Sequence, residues 1–112
     1  MYSLIMSLLT SRFNSNNHNL YFSKKELTKI LNLYSSGVSS GSWKDYAIDF
    51  EKNNAFFYFF KHSNSTPECI VNKSVVKKKI ILYKLKTSRN EKRFENIDIL
   101  ISFLRRKNLK IV

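Results

Sequence analysis

The amino-acid sequence predicts an α+β domain: an N-terminal helix, an antiparallel meander of four to five strands, a C-terminal helix and a short terminal strand. Three observations predict it. Two segments, one after residue 23 and one after residue 96, carry apolar residues at helical spacing behind good capping residues. Between them, apolar residues alternate or run in short blocks divided by turn-forming residues. The order helix, strands, helix then calls for two helices laid on one sheet.

The first helix is marked by Ser23 and Glu26, whose spacing is that of a capping box. Phe22 and Leu27 are placed to form a hydrophobic staple across the cap. Leu27, Ile30, Leu31, Tyr34 and Val38 then form one apolar stripe, and Gly41 supplies the left-handed stop. The predicted helix covers 24–40. Gly37 is expected to weaken its last turn, by about 1 kcal/mol relative to Ala.

Tyr46, Ile48 and Phe50 alternate with Ala47, Asp49 and Glu51, as in a half-buried strand. Asn53-Asn54 is the expected hairpin turn, because Asn tolerates positive φ. The run 55–60 places Phe56, Tyr58 and Phe60 on one face and Phe57 and Phe59 on the other. A strand apolar on both faces is expected to be central or covered twice. Pro67 breaks the chain, 68–72 forms a third strand, 80–85 a fourth, and 86–92 a turn. The second helix, 97–107, is capped by Asn96 and carries Ile97, Leu100, Ile101 and Leu104, with Phe103 beside them. Asp98 in its first turn and Arg105, Arg106 and Lys107 in its last suit the helix dipole. Residues 109–112 are expected to close as the terminal strand.

The 112 residues suit one domain, read as a flexible leader over 1–20 and a single α+β domain over 21–112. With 43% hydrophobic residues the chain can bury a core without a metal or disulfide, so no cofactor is expected. The lone Cys69 excludes a disulfide framework. No apolar run approaches the ~20 residues of a membrane helix. Met1 to Leu9 is apolar but lacks a basic start and a following cleavage site, so it does not read as a signal peptide. Met6 is an alternative start. The expected compartment is the cytoplasm, with no membrane partner.

The net charge is +12, and it is uneven. Residues 1–72 hold 7 basic and 5 acidic side chains, a net of +2; residues 73–112 hold 13 and 3, a net of +10. AT-rich codon usage would raise Lys, Asn, Ile, Phe and Tyr throughout, but would not favour one half. The asymmetry points to an anion-binding face built from Lys77, Lys78, Lys79, Lys84, Lys86, Arg105, Arg106 and Lys107. A solvated or edge-guarding surface would use the same residues.

No catalytic constellation is visible. His18 and His62 have no carboxylate or cysteine at ligand spacing, and His62 with Cys69 gives only two ligands where zinc takes three or four. Two glycines cannot build a phosphate loop. Asp49 and Glu51 share a strand face and read as solvated charges. Trp43, Asp45 and Tyr46 cluster at the helix–strand corner. The cluster is either a core plug or a surface anchor able to stack a base or hold a partner.

Several of these segments resemble one known family. They are Phe22-Ser23-Lys24-Lys25-Glu26-Leu27, Ile30 to Tyr34, Val38, Gly41-Ser42-Trp43-Lys44-Asp45-Tyr46-Ala47-Ile48-Asp49-Phe50, Ala55-Phe56-Phe57, the Pro67 turn and the 109–112 ending. Together they are similar to a small alphaproteobacterial family, domain of unknown function 2794, over about residues 20 to 112. The resemblance implies a stand-alone bacterial cytosolic domain with no assigned activity and no catalytic residues to carry over. The expected function is therefore a non-enzymatic binding module, for nucleic acid or ribonucleoprotein, or else for a protein partner. No small-molecule substrate is evident. One continuous basic face would favour nucleic acid; scattered lysines and an exposed apolar patch would favour a protein.

Overall fold

The computed structural model describes residues 19–62, 66–77 and 79–109. Helix α1 (Lys24–Ser40) leads into strands β1 (Asp45–Phe50), β2 (Asn54–Phe60), β3 (Cys69–Val76), β4 (Ile80–Thr87) and β5 (Glu91–Phe94), and helix α2 (Ile97–Leu109) follows. The strands form one antiparallel sheet in the order β1-β2-β3-β4-β5. The α+β architecture is the one predicted.

Both ends of α1 form as expected. Ser23 Oγ accepts from the Glu26 amide at 3.1 Å, and Glu26 Oε1 accepts from the Ser23 amide at 2.8 Å. At the other end Gly41 takes φ +84°, while the Ser42 and Gly41 amides donate to the Gly37 and Val38 carbonyls. The buried arc differs from the predicted stripe. Leu33 is fully buried and Val38 is exposed. The helix has two neighbours, the sheet, which Tyr34 meets at Tyr46 and Phe57, and α2, so more than one stripe of it is buried.

The helices share one sheet face. Ala55, Phe57, Phe59, Cys69, Val71, Tyr83 and Leu85 point into it and are buried with Leu31, Leu100 and Leu104. Tyr34 meets Tyr46 edge-on at 4.9 Å, and Tyr46 stacks on Phe57 at 5.1 Å. Asn96 Oδ1 caps α2 by accepting from the Ile99 amide.

Several boundaries move. The β1–β2 turn is centred on Lys52-Asn53, with the Glu51 amide bonded to the Asn54 carbonyl, and no Asn there needs positive φ. β2 is second in the sheet, and among the described residues no second layer covers Phe56, Tyr58 and Phe60, all half-buried. β3 extends past Asn72 to Val76, because Lys73 and Ser74 are buried in the sheet and not in a loop. β4 runs on to Thr87, and the expected 86–92 turn shrinks to 88–90. The fifth strand is Glu91-Lys92-Arg93-Phe94, which hides from hydrophobic periodicity because an edge strand can expose charge on both sides. Leu109 belongs to α2, not to a terminal strand; 110–112 lie outside the described residues, as do His18 and residues 1–18 of the leader. Leu20, placed in the leader by sequence, donates its amide to the Glu51 carbonyl at 2.8 Å.

Candidate functional site

The period of two along each strand divides the sheet into two chemically distinct faces. The register aligns Ala47, Tyr58, Ile70, Lys86 and Glu91 in one row on the face away from the helices. The next row of that face holds Asp49, Phe56, Asn72, Lys84 and Arg93. This open face is graded. Its β1 edge is acidic, with exposed Asp45 and Asp49. Phe56 and Tyr58 stack along β2 at 5.8 Å and 22°, and Phe60 continues the line. β3 contributes Ile70 and Asn72, and β4 with β5 contributes Lys84, Lys86 and Arg93, against one carboxylate, Glu91.

Electrostatics follow the grading. Burial, then the charges of Asp49 and Glu51, raise the Tyr58 phenol above its ordinary value, so the ring stays neutral. Lys84 has only a long contact with Glu91, 3.9 Å, and that carboxylate is exposed enough to be screened. Asn72 forms the floor between Phe56 and Lys84. Its amide is fixed by the Ala55 and Lys73 carbonyls and by Asn54 Oδ1, at 3.2–3.3 Å. Adjacent strands lie about 4.8 Å apart, so the aromatic line and the cations of β4 are separated by about 10 Å.

The predicted basic residues do not gather on one surface. Lys84 and Lys86 lie on the open face. Lys77 and Lys79 are exposed in the β3–β4 turn, where Lys77 adopts φ +49°; Lys78 lies outside the described residues. Arg105, Arg106 and Lys107 are exposed at the C-terminus of α2, on the helix side. Lys107 shares a cleft of about 320 Å³ with Cys69, Thr87, Arg89 and Asn90, at the end of the sheet opposite the β3–β4 turn. The length of β3 puts about 23 Å between those two ends.

The Trp43 corner is a core plug. Trp43 is 1% exposed, with its ring 4.5 Å from Phe59 and against the backbone of Gly37. A Cβ on Gly37 would lie 2.0 Å from the indole, so this glycine makes the socket that the sequence reading treats only as a weak turn. Asp45 is exposed and accepts from the Tyr46 amide, and Tyr46 is half-buried against Tyr34 and Phe57.

The densest polar chemistry lies elsewhere and escapes sequence reading. Lys73, one of the 13 basic residues of the strongly charged 73–112 segment, is 9% exposed. Its Nζ donates to Glu26 Oε1 at 2.7 Å and to the Tyr21 carbonyl at 2.9 Å. Tyr83 donates its hydroxyl to Glu26 Oε2. One carboxylate thus caps α1 and ties it to β3 and β4. Every buried side-chain nitrogen and oxygen among the described residues has a partner, which suits a structural joint. The Cys69 thiol is buried, and burial, then the charge of Glu68, pushes it up to about 12, far from a reactive thiolate.

A family model described as Protein of unknown function (DUF2794) matches residues 20–95, more than half of the chain. The chain belongs to this family. The match spans α1 and all five strands, and stops before α2 and the 109–112 ending. Searches of curated proteins and of solved structures return no match. Among the described residues no group of three His, Cys, Asp or Glu could hold a metal, and no helix is long and apolar enough to cross a membrane.

Proposed function

We propose that this DUF2794 member is a non-catalytic binding module that holds single-stranded nucleic acid on its open sheet face, in the cytoplasm. The observation that carries this reading is the pairing of an uncovered aromatic line, Phe56, Tyr58 and Phe60, with Lys84 and Lys86 about 10 Å across the same face and Arg93 one strand further. Bases stack on aromatic faces whatever their identity, while the backbone follows a cationic groove. The acidic β1 edge repels phosphate, so the strand's backbone is directed to the β4–β5 side. Sequence preference is expected to be slight, since stacking and phosphate contacts dominate.

A protein partner on the same face is the second reading. It is favoured by two aliphatic residues of the open face, Ile70 between Tyr58 and Lys86 and Leu82 beside Lys84 on β4. The deciding experiment is fluorescence anisotropy with labelled mixed-sequence RNA and DNA single strands at about 50 mM salt, where the electrostatic contribution is strong. Binding is expected, and Tyr58→Ala should weaken it by roughly 1–3 kcal/mol, the usual worth of one stacked base. If neither strand binds at that salt, the nucleic-acid reading is discarded and the protein reading leads.

A further inference from the structure

The β3–β4 hairpin outruns the rest of the sheet. β2 accompanies β3 only to Ser74, and β5 accompanies β4 only to Tyr83. Beyond them the pairs Val75 with Ile81 and Val76 with Ile80 continue as an arm, whose base is still held by the Val75 amide donating to the Asn53 carbonyl at 3.1 Å. Three of the exposed large hydrophobic side chains are on this arm: Val76 at 38%, Ile80 at 55% and Ile81 at 36%. Exposed Lys77 and Lys79 flank its turn. Val76 and Ile80 lie on the open face, in line with Ser74 and Leu82, so the arm continues the surface that carries Phe56 and Tyr58. Val76 is four residues beyond Asn72, about 13 Å along the strand.

We infer that this arm engages the double-stranded side of a junction whose single strand lies on the sheet. The inference rests on the proposed single-strand reading and names its substrate class. A second copy of the chain is disfavoured as the occupant, because it would bring lysines against lysines. Nucleic acid satisfies both chemistries of the arm. The phosphates at the mouth of a duplex pair with Lys77 and Lys79, and the aliphatic side chains cover the terminal base pair or wedge beside it, as apolar side chains do where proteins part stacked bases. Single strands alone would leave Val76 and Ile80 in water.

The test compares three labelled probes of equal strand length: a single strand, a blunt duplex, and a duplex with a single-stranded overhang. The overhang probe is expected to bind about tenfold more tightly than the single strand. Val76→Ser with Ile80→Ser should abolish that preference and leave single-strand affinity unchanged, as should Ile80→Ser in part. Both sites are exposed, and an unchanged melting temperature confirms an intact fold. Equal binding of overhang and single strand by the unaltered protein overturns the inference while leaving the sheet reading in place. A preference that survives in the double variant overturns it equally. Failure of every probe to bind sinks both.

Discussion

The ammonium of Lys73 lies 2.7 Å from the carboxylate of Glu26, forty-seven residues away, with both side chains about nine-tenths shielded from water. The pair joins the N-terminus of α1 to the third strand. Its two halves are not equivalent. Glu26→Ala leaves the ammonium with the Tyr21 carbonyl alone and also removes the cap's reciprocal bond. The expected cost is about 3–5 kcal/mol, that of an uncompensated buried charge. Lys73→Met leaves Glu26 with the Ser23 amide and the Tyr83 hydroxyl, so it should cost less. Urea unfolding of the two variants checks the order; a more harmful Lys73→Met would refute this account of the joint.

The same joint makes stability depend on pH at both extremes. Burial pushes the Glu26 carboxyl up, but the bonds from Lys73, Tyr83 and Ser23 outweigh it and hold the group below 4.5. A carboxyl depressed in the folded state contributes stability above about pH 4.5, lost as pH falls through its folded value. Tyr83 runs the other way. Burial, then its bond to Glu26 and that group's charge, raise the phenol well above 10.0. Its contribution is complete below about pH 10 and fades as pH rises beyond it. Melting temperature against pH should fall on both limbs. Glu26→Gln should flatten the acid limb, and Tyr83→Phe the alkaline one.

Gly37 and Trp43 yield a sign reversal. On an open helix surface Gly→Ala gains about 1 kcal/mol. Here the added methyl meets the indole at 2.0 Å, so Gly37→Ala should instead destabilise by about 1–3 kcal/mol through overpacking. Trp43→Ala should cost about 3–5 kcal/mol. In the Trp43→Ala background the glycine substitution should become neutral or stabilising. A double-mutant cycle in urea reads the coupling directly.

Elements held by local chemistry were legible in the sequence. The cap at Ser23 and Glu26, the stop at Gly41 and the stripe of α2 each depend on residues within one or two turns. What was hidden depends on distant partners. Lys73 reads as one more surface lysine until Glu26 and Tyr83 surround it. β5 carries no periodicity because only its pairing with β4 makes it a strand. The open face is half legible: the alternation of 55–60 separates Phe56, Tyr58 and Phe60 from Phe57 and Phe59. Only the register shows that Lys84 and Arg93 share their row with Phe56. Equally, nothing in the spacing of the two basic clusters reveals that they lie at opposite ends of the sheet.

That separation gives the proposed function its sharpest electrostatic test. Each phosphate neutralised on a single strand adds about 0.7 to the slope of log affinity against log salt, through released counterions. Lys84, Lys86 and Arg93 face the strand, so replacing all three with Gln should lower the slope by about 2. Arg105, Arg106 and Lys107 carry the same charge but project from the end of α2 on the helix side. Their replacement by Gln should leave the slope nearly unchanged and weaken binding only slightly, through long-range attraction that salt screens. Both triple variants lower net charge by three, so a difference between them reports geometry and not total charge. Equal reductions would mean that the protein attracts nucleic acid diffusely, with no dedicated face. A larger effect at the helix end would move the binding surface to the cleft beside Lys107 and Arg89.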